Sequence, residues 1–371
     1  MTDILIVGGG PVGCVVAEHA ARLRNWTSII IEKRNHIAGN CFDTLDQNGQ
    51  LIHKYGPHYF RTNDENIFKY LSNFTEWIEG DYIVKTSYQE RLYPFPINLE
   101  TLEKFYGQKL SENGARELLK LKSLDIPNPK NSEEFVLSRV GPELYEAFYL
   151  GYTLKQWDKH PRDLSPSVCG RIPIRFNRDQ RYVDAKFQVM PKEGFTAMFH
   201  KMTTNPLIKT CLNTDFNSVR NIITPKIATV YTGPIDAYFD YAFGRLPWRS
   251  LEFKWKTFQE EYVQPCVQIN YPNENSFTRS VEIKHVTKQQ CPFSNISYEY
   301  PTESGPPYYP IPSKQSQLTY EKYKELAEIE KKKNNFFLAG RLAEYTYINT
   351  DQAISRGMEV FSEISHKLEK S

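Results

Sequence analysis

Apolar positions near the start of the chain fall into two solid runs with a helical stripe between them. Ile4-Leu5-Ile6-Val7 and Ile29-Ile30-Ile31 are short, continuous and mostly β-branched, the pattern of strands buried on both faces. Between them Val12, Val15, Val16, Ala20 and Leu23 recur at helical spacing, while Glu18, Arg22 and Arg24 fall on the opposite side. This predicts an amphipathic helix with Pro11 in its first turn, where a missing N–H costs little. The join is Gly8-Gly9-Gly10-Pro11-Val12-Gly13. Gly8 serves a tight turn, Gly10 lets a pyrophosphate approach the backbone, and Gly13 lets the helix pack closely on its strand. Phosphates are favoured at such a helix N-terminus by free N–H groups and by the dipole. Glu32 ends the second run at the spacing of ~20 residues that suits a ribose hydroxyl, and no arginine stands there to receive a 2′-phosphate. The pattern predicts a dinucleotide-binding βαβ unit. The basic pair Lys33-Arg34 that follows, ahead of Gly39-Asn40, is either a solvated face or a set of contacts to that nucleotide.

Further along, the texture changes twice. The segment 99–152 is rich in Leu, Lys and Glu and reads as helical, with Asn131 as a cap residue followed by acids. From 253 to 300 short alternating segments predict strands of an antiparallel sheet: Glu261-Tyr262-Val263, Cys266 to Asn270, and Ser280 to Lys284. The α/β pattern then returns, with a buried strand at Phe336-Phe337-Leu338 and a helix over 351–367. A nucleotide-binding domain interrupted by a helical insert and a sheet insert is the economical arrangement.

Composition narrows the classes. At 371 residues the chain can bury a large core, and its net charge of +2 gives no reason to expect nucleic acid or an anionic membrane as partner. No apolar run approaches the ~20 residues of a membrane span, and the acidic residue 3 before a strand at 4 leaves no room for a signal peptide. The six cysteines have no paired spacing and read as reduced thiols of a cytoplasmic protein, so the Asn-x-Ser/Thr triplets at Asn25, Asn73 and Asn295 carry no glycosylation meaning. No metal site is expected. Aromatic residues make up 14%, with 24 tyrosines; most of them supply core bulk, and the remainder suits a pocket of stacking faces and phenolic donors.

Several segments combine basic and aromatic groups around turns: Gly56-Pro57-His58-Tyr59-Phe60-Arg61-Thr62, Gly151-Tyr152-Thr153-Leu154-Lys155-Gln156-Trp157, Arg171-Ile172-Pro173-Ile174-Arg175-Phe176, Tyr231-Thr232-Gly233-Pro234-Ile235-Asp236, Thr278-Arg279, Pro307-Tyr308-Tyr309-Pro310 and Gly340-Arg341-Leu342-Ala343-Glu344-Tyr345-Thr346-Tyr347. Taken singly, these are turn prolines, surface arginines and core-edge tyrosines. Together, in this order and over essentially the whole chain, they resemble the bacterial branch of the UDP-galactopyranose mutase family.

That resemblance implies an α/β fold: a Rossmann-like FAD-binding domain (1–80, 190–245 and 330–371), a helical substrate and dimerisation domain (81–170), and an antiparallel-sheet domain (171–189 and 246–329). It implies a homodimer acting on a nucleoside-diphosphate sugar, with FAD active when reduced by NAD(P)H or another donor. In the family, reduced flavin N5 attacks the anomeric carbon, displaces the diphosphate and allows the ring to contract without net redox. Arg171 and Arg279 stand at the positions of the diphosphate-binding arginines, and forked guanidiniums suit such oxygens. Arg171 lies in a segment that resembles a mobile lid. Tyr182, Tyr309 and Tyr347 match phosphate-contacting tyrosines, Tyr152 the ring that stacks on the base, and Trp157 a tryptophan near the sugar. His58 and Arg341 match residues beside the flavin, with catalytic weight alongside the two arginines. Added to the motif residues Gly8, Gly10, Gly13 and Glu32, the cofactor set comprises Val12, Lys33, Gly39, Asn40, Gly233 and Asn349. Asn270, Arg175 and Arg249 are further contacts, or scaffold.

Two positions depart from the family pattern. A second histidine is Arg61 here, and an acid near the C-terminus is Asn349. Arg61 is larger, permanently charged and rich in donors, which leaves the sugar open among UDP-galactose, UDP-N-acetylgalactosamine and dTDP-fucopyranose. The alternative class is an FAD-dependent oxidoreductase of the amine-oxidase type, which would need an apolar channel in place of an arginine–tyrosine pocket.

Overall fold

The computed structural model describes residues 2–369. The N-terminal reading holds: strand β1 (Ile4–Val7) is buried along its whole length, helix α1 (Pro11–Arg24) follows, and strand β2 (Ser28–Ile31) pairs with β1 in parallel. The sheet they begin has five strands, all parallel, in the order Ile208–Cys211, β2, β1, Ala228–Tyr231 and Phe336–Leu338. Three far-separated stretches of chain therefore build one Rossmann-like layer. The helix Thr350–Glu369 packs beside α1, and Ala353, Val360, Phe361 and Ile364 share a core with Val16, Ala17 and Ala20.

Two expectations for α1 fail. Leu23 is half exposed, because the last turn runs past the sheet it covers. Glu18, placed by the pattern on the solvent side, is buried instead. Burial works against its charge, yet bonds from His19, Arg22 and the Tyr70 hydroxyl bring its pKa down to about 2. A buried carboxylate with that many donors stays ionised.

The second sheet is larger and mixes distant segments. Its seven strands run Tyr309–Pro310, Trp248–Phe258, Ser294–Thr302, Arg279–Val281, Gln268–Asn270, Val84–Tyr88 and Arg91–Phe95. The last two come from 81–170, expected to be helical, and the Gln268–Asn270/Val84–Tyr88 pairing is parallel in an otherwise antiparallel sheet. Helices Leu99–Tyr106, Glu112–Lys122 and Ser132–Tyr145 follow as expected, and the side chain of Asn131 caps the third by accepting from Glu134 N–H. Glu261-Tyr262-Val263 is not a strand: the buried Glu282 carboxylate takes the N–H groups of Val263 and Gln264, so the ladder is replaced by a side-chain anchor. The stretch 314–329, assigned with the sheet, is part of one long helix, Lys314–Asn334, packed on the Rossmann side through Tyr320, Tyr323 and Ala327. Among the described residues no helix is long and apolar enough to cross a membrane.

Candidate functional site

The glycine turn between β1 and α1 opens onto a cavity of about 750 Å³. Gly8 sits at φ +108°, and a Cβ on Gly13 would lie 2.1 Å from the Gly8 carbonyl oxygen, so both positions exclude a side chain. Gly10 is the N-cap of α1 without a side-chain acceptor, so the first N–H groups of the helix face the cavity unclaimed by a cap. Glu32 braces the turn as well as facing the cavity: its carboxylate accepts from Gly9 N–H and from Arg34 N–H, both at 2.9 Å. Lys33, Gly39, Asn40, His58, Gly233, Arg341 and Asn349 line the same space, with Gly8, Gly10, Val12 and Glu32. Of the expected cofactor set only Gly13 lies behind the lining, where it serves packing.

Two of these residues lead onward. His58 Nδ1 donates to the Gly56 carbonyl at 3.0 Å, leaving Nε2 as a bare acceptor. Burial, and then the neighbouring His53 and Arg341, push its pKa down to about 3, so it is neutral at any working pH. Arg341 is held by the carbonyls of Tyr308 and Ile348, and its guanidinium lies 4.7 Å from the Tyr347 ring centre and 5.9 Å from that of Tyr309. It joins the cavity to a neighbouring cluster of arginines and tyrosines.

That cluster gathers residues from six separate segments. Tyr309 and Tyr347 stack with centres 5.9 Å apart, and Trp157 meets Tyr309 edge-on at 6.1 Å. Arg279 donates to the Tyr309 hydroxyl at 3.4 Å, while the guanidinium of Arg171 lies 5.0 Å from the Tyr347 ring centre. Arg61 lies 5.9 Å from the Tyr182 ring centre and donates to Asn349 Oδ1 at 3.2 Å. Tyr152 is near enough to Arg279 for that charge to oppose the rise of its pKa caused by burial. Asn270 is opposite Arg279 in the strand register and accepts from Gln268 at 2.7 Å. Four arginines thus face a small set of phenols. Burial raises the pKa of Tyr347, but Arg171, Arg341, Arg61 and Arg279 outweigh it and bring the phenol down to about 8.

Arg175 and Arg249 turn out to be scaffold. Arg175 is buried inside its own loop, bonded to the Arg181 carbonyl and to Asp184 at 2.9 Å; Arg249 donates to the carbonyls of Gln156 and Lys155. Glu299 escaped notice in the sequence because Ser-Tyr-Glu-Tyr reads as a charge on a solvent face. It is fully buried, directly across the ladder from Arg279, and accepts from Arg279 Nε at 2.7 Å. Its other oxygen has no partner among the described residues. Asp351, two residues past Asn349, also faces this end with an unpartnered oxygen and senses the Arg61 charge.

Fold and site together define a Rossmann-type dinucleotide-binding enzyme with an arginine–tyrosine cluster beside the dinucleotide cavity. A family model for UDP-galactopyranose mutase matches residues 147–347, and one for an NAD(P)-binding Rossmann-like domain matches 6–74. A probable UDP-galactopyranose mutase from Klebsiella pneumoniae is 36% identical over 368 residues, covering 97% of this chain and 94% of its own. A dTDP-fucopyranose mutase from Escherichia coli is 33% identical, covering 97% of each. The crystal structure of a reduced UDP-galactopyranose mutase shares the fold at TM-score 0.76 and 14% identity, covering 100% of this chain and 96% of its own. The chain belongs to the UDP-galactopyranose mutase family, whose members are isomerases.

Proposed function

We propose that this protein interconverts the pyranose and furanose forms of a nucleoside-diphosphate sugar, using reduced FAD and no net redox. The observation that carries the reading is Arg341, which lines the dinucleotide cavity and also lies against the tyrosines where Arg171 and Arg279 converge. The cradle fits FAD: an uncapped helix N-terminus, a turn that admits no side chain, and a carboxylate at the end of β2. When bound and reduced, the flavin supplies the nucleophile for the anomeric carbon.

The protein's own groups do the rest. Arg171 and Arg279 hold the diphosphate as substrate and as leaving group, and Tyr182, Tyr309 and Tyr347 add neutral donors. Glu299 fixes the direction of the Arg279 fork. His58, kept neutral, offers an acceptor beside the cofactor. Tyr152 stacks on the base, Trp157 lies near the sugar, and Asn270 adds a further contact to the substrate. The segment 171–182, with Arg171 at its head and Tyr182 at its end, closes over the ligand. In this reading the protein works as a cytoplasmic homodimer, and NAD(P)H or another donor reduces the flavin.

The reading predicts that purified protein is yellow and turns over only with chemically reduced flavin. Isomer formation without stoichiometric consumption of reductant supports it. Oxygen uptake matching turnover would place the protein among oxidoreductases of the amine-oxidase type.

Arg61 selects the sugar. Its guanidinium and Asn349 form a bonded pair where family members usually carry histidine and an acid, so this end is more positive and richer in donors. It favours a sugar that presents an acceptor, such as an acetamido carbonyl, or that leaves room where a hydroxyl is missing. Arg61→His is expected to shift the kcat/KM ratio towards UDP-galactose, against UDP-N-acetylgalactosamine and dTDP-fucopyranose, by at least ~10-fold, the scale of one charge-assisted bond. An unchanged ratio across the three would remove Arg61 from recognition.

The Tyr347 phenol adds a pH signature. Because its pKa is lowered to about 8, the free enzyme loses this donor, and gains a charge that repels diphosphate, as pH rises through that value. The kcat/KM for the nucleotide sugar is expected to fall on the alkaline side with a midpoint near 8, and Tyr347→Phe to flatten that limb. A limb that survives in Tyr347→Phe would belong to another group.

A further inference from the structure

Groups assigned above to the nucleotide sugar sit on elements far apart in sequence. Tyr152 and Trp157 belong to the helix Gly151–Trp157; Asn270 and Arg279 belong to paired strands, Gln268–Asn270 and Arg279–Val281. The loop 271–277 joins those strands, and it is wrapped around one side chain of the helix. Lys155 Nζ donates to the backbone carbonyls of Glu274 at 3.0 Å, Asn275 at 3.2 Å and Phe277 at 3.2 Å, and also to that of Tyr271. Four carbonyls without ladder partners converge on one ammonium.

Two more contacts join the same faces. Asn273 Nδ2 donates to the Ala147 carbonyl at 3.0 Å. At Gly151 the loop comes so close that a Cβ would lie 2.5 Å from the Pro272 carbonyl oxygen. The chain just before the helix, Glu146–Leu150, is a π-turn, a form that recurs at functional sites. An ammonium suits this cage: it is a compact charge whose N–H groups donate to carbonyls arriving from several directions, whereas a guanidinium fork demands acceptors in its plane.

We propose that Lys155 is a positioning residue. Its ammonium binds the 271–277 loop to the Gly151–Trp157 helix and so sets the distance between the base-stacking Tyr152 and the diphosphate-binding Arg279. The inference rests on the proposed assignment of those two residues to the ligand. Lys155 itself touches no substrate: it acts through the loop, and its loss weakens nucleotide binding more than the chemical step.

Lys155→Met keeps the apolar stem and removes the charge; Lys155→Ala leaves a channel the width of n-propylammonium. The probes are UDP and dTDP, titrated calorimetrically into the flavin-loaded protein, with amide hydrogen exchange measured on the same samples. In Lys155→Met the amides of Tyr271 and Thr278, bonded to the Thr278 and Glu299 carbonyls where the loop leaves and rejoins the sheet, are expected to exchange at least ~10-fold faster while those of the parallel sheet are unchanged, since opening is local. The Kd for whichever nucleotide binds wild type more tightly should rise at least ~10-fold, with KM rising likewise and kcat moving less than ~3-fold. Millimolar n-propylammonium should restore binding to Lys155→Ala, and n-propanol should not. Asn273→Ala, at an exposed position, tests the same contact if Lys155→Met fails to fold, with exchange at the same two amides expected to rise at least ~3-fold. Faster exchange with unchanged Kd and KM overturns the positioning role and leaves Lys155 a fold clamp. Unchanged exchange in these variants overturns the clamp. Wild-type protein that binds neither nucleotide overturns the ligand assignment, and the positioning role with it.

Discussion

Arg171→Ala is expected to remove most activity and leave thermal stability where it is, whereas Arg279→Ala lowers both. The two arginines serve one diphosphate in the proposed reaction but differ in what holds them. Arg171 is exposed, makes no ion pair among the described residues, and rests on the Tyr347 ring. Arg279 is mostly buried, and its partner Glu299 is fully so. Truncating one partner of a buried charge contact costs about 2–5 kcal/mol, which in kcat/KM is about 30-fold to several thousand-fold. For Arg279 there is a second penalty, because Glu299 is left buried without its donor; breaking such a pair costs about 3–5 kcal/mol of stability. Lysine should rescue each only in part, since it loses the fork. Steady-state kinetics with reduced enzyme, with Tm and flavin content on the same samples, check all of this. Near-wild-type rates in both alanine variants would take these arginines out of the site.

Gly13→Ala is expected to give a colourless protein. Gly13 has ordinary helical geometry, so the penalty comes from packing: the new methyl would sit 2.1 Å from the Gly8 carbonyl oxygen and 3.0 Å from Ile6. Backbone cannot move aside as a flexible side chain does, so α1 must lift from β1. Overpacking of this kind costs about 1–3 kcal/mol. The same movement draws the helix N-terminus away from the pyrophosphate position, and each 1.4 kcal/mol lost there weakens flavin binding about tenfold. The flavin-to-protein absorbance ratio after gel filtration measures the outcome. Full flavin content would mean that the turn tolerates a side chain and does not hold the cofactor as proposed.

The elements that were legible in the sequence are those governed by local rules. Strand β1, the glycine turn, α1, β2 and Glu32 lie within one short stretch, and each has a residue-level cause: burial on both faces, a turn without side chains, apolar spacing of 3.6. The buried strand Phe336–Leu338 and the closing helix Thr350–Glu369 followed from the same rules. The chemistry-bearing residues were chosen through the family resemblance, whose motifs are long enough to place each of them, and a diphosphate ligand suits the arginines and phenols so placed.

Pairings between distant segments were not legible. Nothing local says that Val84–Tyr88 joins Gln268–Asn270 in parallel, or that Glu299 sits across the ladder from Arg279. A strand's register is set by the partner it meets, and a charge on an alternating strand looks the same whether its face meets water or an arginine. Glu18 was misplaced for a like reason: His19 and Arg22 are its neighbours on α1, but the Tyr70 hydroxyl reaches it from the separate helix Glu65–Leu71, which only the folded chain brings there. Arg175 carries the same guanidinium as Arg171, and only the fold of its loop turns it inward to Asp184. The sequence by itself thus determined the dinucleotide turn and the supply of cationic and phenolic groups, because those depend on residue type and short-range spacing. Tertiary structure alone decided which arginines meet the tyrosine cluster and which are tied into the scaffold, because burial and partnership belong to segments that meet only in the folded chain.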